Sequence, residues 1–125
     1  MILVDTSVWI DHLRVADTKL AALLTRGTVG MHPMIIGELA CGNLKNRTEL
    51  LSLWRNLPCI SAATDAEALY FIERHQLMGK GVGYIDIHLL AAVMLQGDAL
   101  LWTRDKRLAA LAVKLGLSFS EKASG

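Results

Sequence analysis

The chain has 125 residues, 53% of them hydrophobic, a mean hydropathy of +0.37 and a formal net charge of +1. This length buries a core without staples, so a single domain over residues 1–125 is expected. No uncharged apolar stretch approaches the roughly 18 residues of a membrane span. Residues 1–5 also lack the basic start and longer apolar region of a signal peptide, and a cytoplasmic protein is expected. The small net charge argues neither for nor against nucleic acid, so any positive potential for RNA must be local. The excess of apolar residues implies a dense core and at least one partner surface.

In chain order, Ile2, Leu3 and Val4 read as a short buried strand, closed by the turn signal Asp5-Thr6-Ser7. Thr6 or Ser7 can cap a helix carrying Val8, Trp9, Ile10 and Leu13. A second helix is predicted over residues 18–25, stopped by Gly27. Residues 28–32 form a weak strand candidate. Pro33 suits the first turn of a helix that runs to Ala40 and ends at Cys41-Gly42. Residues 47–56 and 65–76 are stronger amphipathic helices, the first with Leu50, Leu51, Leu53, Trp54 and Leu57 on one side. Residues 78–83 are a glycine-rich break. Residues 86–96 are apolar nearly all round, which predicts a central buried helix ended by Gly97. A buried strand over 99–103, a helix over 105–115 and a last strand over 117–119 complete the pattern, with residues 120–125 as a mobile tail. Short buried strands alternating with helices indicate an α/β fold with a mostly parallel sheet.

Four acids are hard to explain by folding alone: Asp5, Glu38, Asp86 and Asp105, each at the edge of an apolar segment. Singly, each has an ordinary structural role. Asp5 can open a turn, Asp86 and Asp105 stand where Asp is a good helix cap, and Glu38 suits the outer face of an amphipathic helix. Together they invite another reading. In an open parallel sheet, sites gather beyond the carboxyl ends of the strands, where Asp5 and Asp105 both fall. The start of the 86–96 helix can reach the same edge, and Glu38 can reach in from its own helix. Carboxylates without a Cys or His partner suit Mg²⁺ or Mn²⁺ rather than zinc. Four acids have capacity for one ion and, with a phosphate substrate, for a second. Cys41 and Cys59 fall in apolar surroundings with no CxxC pattern, and read as buried thiols of a reducing compartment.

The stretches Met1-Ile2-Leu3-Val4-Asp5-Thr6-Ser7-Val8-Trp9-Ile10, Ile36-Gly37-Glu38-Leu39, Tyr84-Ile85-Asp86-Ile87-His88-Leu89-Leu90-Ala91-Ala92 and Leu101-Trp102-Thr103-Arg104-Asp105, in this order and spacing, resemble a PIN-domain ribonuclease. The resemblance is to the VapC toxins of type II toxin–antitoxin pairs. It implies a three-layer α/β/α fold and an endoribonuclease dependent on Mg²⁺ or Mn²⁺. It matches Asp5, Glu38, Asp86 and Asp105 to the family's catalytic and metal-binding acids. Ser7 and Thr103 match polar residues that support them, Ser7 standing where many relatives have Asn. It further implies a cognate antitoxin, an RNA substrate such as tRNA, and a homodimer within the toxin–antitoxin complex.

Arg104 and Lys106 flank Asp105 and are the candidate RNA contacts; Arg14, Lys45, Arg47, Lys80 and Arg107 are further cations able to meet phosphates. Core packing is the ordinary role for Trp9, and any exposed part of the Trp9, Ile10 and Leu13 stripe, with Leu20, Leu23 and Leu24, is a candidate antitoxin groove. The four histidines, His12, His32, His75 and His88, are scattered and are expected to be structural or surface residues. Two rival readings stay open. One is a metal-dependent phosphatase, weakened because Asp5-Thr6-Ser7 lacks the second Asp of an Asp-x-Asp motif and no P-loop is present. The other is a catalytically silent PIN-like module that only binds RNA or protein, whose mark would be the loss of an acid.

Overall fold

A computed structural model describes residues 1–121. Its centre is a parallel sheet in which β1 (Ile2–Val4) lies between β2 (Val29–Gly30) and β3 (Leu100–Trp102). The register pairs Ile2 with both Val29 and Leu100, Leu3 with Gly30 and Leu101, and Val4 with Trp102. Leu3, Val4, Leu101 and Trp102 are all buried, as parallel strands covered on both faces must be. Single parallel bridges widen the sheet at its edges, Met31 with Cys59 and Leu101 with Ser118. The strand expected over 117–119 is therefore one bridge, held by Leu101 N–H to Leu117 O and Phe119 N–H to Leu101 O.

The chain leaves β1 through α1 (Thr6–Arg14) and α2 (Thr18–Thr25) to reach β2 on one side. It then returns across the sheet through α3 (Pro33–Ala40), α4 (Arg47–Arg55), α5 (Asp65–His75) and α6 (Tyr84–Gln96) to reach β3 on the other, and α7 (Lys106–Lys114) follows. Parallel crossovers are right-handed as a rule, and two that run in opposite directions then deposit their helices on opposite faces. The result is a three-layer α/β/α fold with its switch point at β1. Beyond the carboxyl ends of such neighbouring strands lies the crevice where ligands bind.

Helix α6 is buried throughout 87–93 and packs on β3 and α5. It begins two residues before the expected start, because Gly83 supplies the N-cap position without a capping side chain. Asp86 thus lies inside the first turn and is no cap. α5 carries a capping box: Glu67 N–H donates to Thr64 Oγ1 at 3.0 Å, and Thr64 N–H to Glu67 Oε1 at 2.9 Å. Trp9 of α1 meets Trp54 of α4 edge to face, with ring centroids 5.9 Å apart, both inside the core. The two cysteines are exposed and free, not buried. Cys41 caps the end of α3 and Cys59 sits on the outer sheet bridge, so their apolar sequence neighbours do not enclose them. Of the residues expected to form a tail, Glu121 is bonded to Trp102 and Arg104, and 122–125 lie outside the described residues.

Candidate active site

Asp5 follows β1 directly, and its N–H donates to Trp102 O at 2.8 Å, continuing the pairing with β3. The residue is 6% exposed. It stands at the N-cap position of α1 but makes no side-chain cap bond. Its Oδ2 instead accepts two hydroxyl hydrogen bonds, from Ser7 Oγ at 2.9 Å and from Thr103 Oγ1 at 2.8 Å. Each hydroxyl is itself an acceptor from the backbone: Arg104 N–H reaches Ser7 Oγ at 3.0 Å, and Asp105 N–H reaches Thr103 Oγ1 at 3.1 Å. A hydroxyl has one proton to give. With an amide pointing at its oxygen, that proton is directed to the carboxylate. Among the described residues Oδ1 of Asp5 takes no hydrogen bond and is free for another partner.

The other acids come from three different helices. Glu38 is exposed on α3, and its Oε1 accepts from Thr6 Oγ1 at 2.9 Å. Thr6 is a contact that the sequence did not single out; only its place beside Asp5 hinted at it. Asp105 is the N-cap of α7, with Oδ1 accepting Leu108 N–H at 2.9 Å. Its ordinary capping role is thus real, and occupies one oxygen only. Asp86, half-buried in the first turn of α6, has a carboxyl group pushed above the usual range. Burial is the main cause; the negative charge of Asp5 adds to it, then those of Asp105 and Glu38, against a backbone bond from Gly83. The four acids therefore share one electrostatic neighbourhood. They are not in ligating contact: among the described residues no three His, Cys, Asp or Glu side chains converge closely enough to hold an ion. Mutual repulsion among carboxylates works against such convergence. As donors they are all hard oxygens, which matches magnesium or manganese in type.

Arg104 differs from its expectation as an RNA contact. Its Nη2 bonds Asp17 Oδ2 at 2.6 Å, Nη1 bonds Asp11 Oδ2 at 2.8 Å, and Nε bonds Glu121 Oε2 at 3.2 Å. Asp17 also caps α2 through Leu20 N–H. Burial alone would raise the Asp17 carboxyl, but the Arg104 and Leu20 bonds outweigh it and hold the group below its ordinary value. Lys106 is exposed at the start of α7, beside Asp105. Of the predicted groove residues, Trp9 is 1% exposed and belongs to the core, whereas Ile10 and Leu13 are about 40% exposed. Ile10 and Leu13 line a groove of about 1090 Å³ with Arg14, Leu44, Lys45, Leu50 and Leu53.

His88, two residues after Asp86, is buried and turned to the start of α5. Its Nε2 meets Asp65 Oδ1 at 3.1 Å, an oxygen that also accepts from Tyr84 Oη at 2.9 Å. His32 is equally buried and is the N-cap of α3, with Nδ1 accepting Met34 N–H at 3.0 Å. Both are structural, although the sequence did not mark His32 as a cap.

A sequence model of the PIN domain matches residues 2–114. Over 124 residues the chain is 48% identical to Ribonuclease VapC32 of Mycobacterium tuberculosis, in strains CDC 1551 / Oshkosh and ATCC 25618 / H37Rv alike, covering 99% of this chain and 100% of that one. The crystal structure of PAE2754 from Pyrobaculum aerophilum superposes with a TM-score of 0.60 over 92% of this chain and 94% of its own, at 15% identity, a likeness of fold. The sheet with its switch point at β1, the acids gathered beyond it and the full-length match agree: the chain belongs to the PIN-domain family and is a VapC-type member of it.

Proposed function

We propose that this chain is a divalent-metal-dependent endoribonuclease and the toxin of a toxin–antitoxin pair. The observation that carries the reading is the setting of Asp5 beyond β1, its Oδ2 held by Ser7 and Thr103, with Asp105 two residues beyond Thr103 at the cap of α7; the raised carboxyl of Asp86 agrees with it. The likeness to a relative named Ribonuclease VapC32 supports it.

Asp5 through its free Oδ1, and Asp86, would hold the cation, with Glu38 as a further ligand or as the base for the attacking water. Asp105 keeps one oxygen for its helix and has the other available for a second ion or a bound water. When bound, a divalent cation neutralises charge on the phosphate and supplies a nucleophilic water at neutral pH. Ser7 and Thr103 keep Asp5 oriented through their two hydroxyl hydrogen bonds to Oδ2. Glu38, in the role of base, would take the proton of a water displacing the leaving oxygen in line at phosphorus, with no part for the RNA 2′-hydroxyl. Lys106, beside Asp105, is placed to meet a substrate phosphate. A structured RNA such as tRNA is the proposed substrate, on the resemblance to VapC toxins.

The Ile10–Leu13 groove supports capture of a cognate antitoxin. Its leucines and Ile10, with Arg14, Lys45 and Glu49 among them, suit the apolar face of an amphipathic segment. A homodimer through a helical surface and a cytoplasmic location complete the proposal. Purified protein should cleave RNA with Mg²⁺ or Mn²⁺, lose that activity in excess EDTA or as Asp5→Asn, and leave a phosphate monoester intact. Cleavage that persists in EDTA sinks the metal mechanism. Hydrolysis of the monoester would favour a phosphatase, and RNA binding without cleavage a silent module.

A further inference from the structure

We propose that Arg104 is a positioning residue for the metal site, clasping residues 103–105 so that their polar groups orient Asp5. The inference rests on the reading of Asp5 as a metal ligand. All three guanidinium nitrogens are engaged, with Asp11 at the end of α1, Asp17 at the cap of α2, and Glu121. The guanidinium also lies 5.5 Å from the centre of the Trp102 ring, whose Nε1 donates to the same Glu121 carboxylate. In the ion pairs among the described residues, this one guanidinium faces three carboxylates, which already occupy its nitrogens. The clasp holds the backbone of the residue whose own N–H fixes Ser7 Oγ, with Thr103 on one side and Asp105 on the other. If Arg104 is released, the amide no longer directs the Ser7 proton, and Thr103 loses its fixed approach to Asp5. Lysine cannot replace the fork, since a single ammonium spans fewer of the three carboxylates.

The test compares wild type with Arg104→Met, Arg104→Lys and Asp17→Asn, the last keeping the α2 cap while removing a charge from the clasp. Mn²⁺ affinity is measured by calorimetry on RNA-free protein, and KM and kcat on RNA at saturating Mn²⁺. Arg104→Met should weaken Mn²⁺ binding by about 10- to 100-fold, the range for outer-shell partners of metal ligands, with KM for RNA unchanged. Arg104→Lys and Asp17→Asn should fall between it and wild type, and they carry the test if Arg104→Met does not fold. A merely structural arginine would lower the melting temperature and leave Mn²⁺ affinity intact, which overturns the proposal. A rise in KM at unchanged Mn²⁺ affinity also overturns it and restores Arg104 as an RNA contact. A wild-type protein that binds no Mn²⁺ overturns the metal reading itself, and this inference with it.

Discussion

Lowering the pH from 7 to 5 should cost the folded protein about 2 kcal/mol through His32 alone. His32 is 1% exposed, and burial, helped by the nearby His88, holds its pKa down at about 4 against an ordinary 6.5. Only the neutral ring fits. Its Nδ1 accepts Met34 N–H, and a proton there would set donor against donor at the start of α3. The unfolded chain binds that proton more readily, so stability is full above pH 6.5, falls as pH drops through 6.5, and levels off below 4. The complete window is worth about 3 kcal/mol, most of it already lost at pH 5. His32→Asn keeps a capping acceptor without titrating. Urea unfolding of both proteins at pH 7 and pH 5 isolates the effect, because any void left by Asn is common to both pH values. The wild type should lose about 2 kcal/mol more than the variant between the two. Equal losses would refute the reasoning. Since α3 carries Glu38, the same titration loosens one arm of the site.

Thr103→Val removes a hydroxyl from Asp5 with little change of shape, and should weaken Mn²⁺ binding by about 10- to 100-fold in calorimetry. Asp86→Asn should melt at a higher temperature than wild type in EDTA at neutral pH. Its raised carboxyl pKa means that ionisation opposes folding, so stability falls as pH rises from 3.8 through the folded value. Asp105→Ala should be about 1 kcal/mol less stable than Asp105→Asn by urea unfolding, because Asn still caps α7, while both lose activity. Trp54 is wholly buried with no partner for Nε1 among the described residues. Trp54→Phe should therefore cost far less than the roughly 3–5 kcal/mol expected of Trp54→Ala.

The alternation of buried runs and amphipathic stretches located every helix, and the run from Ile2 to Val4 defined the central strand. Those features are local, and periodicity reads them well. Helix α6 starts earlier than read because Gly83 offers no capping side chain, which leaves Asp86 as the first residue in the segment that looks like a cap. The last strand shrank to one bridge, since an apolar run cannot reveal how many partners it finds. For the site, the acids stood out because ionised groups beside apolar segments need a reason. The ion pairs of Arg104 were hidden for the opposite cause. Its partners Asp11 and Asp17 lie 93 and 87 residues away, and nothing near it in sequence distinguishes a clasp from a solvent-facing cation. Exposed Cys41 and Cys59 show the same limit: the neighbours that bury a side chain are seldom those beside it in the chain.

The bond from Thr103 to Asp5 spans 98 residues, and β1 pairs with β3 across a similar separation. Contacts so distant in sequence form only after the intervening chain has been made and its loop entropy overcome. A growing chain on the ribosome therefore carries Asp5 and Glu38 without the hydroxyl and helix cap that residues 103–105 contribute. The order of synthesis keeps the site incomplete until residues 103–105 have been made, so the messenger and the ribosome making it meet no finished nuclease before that point.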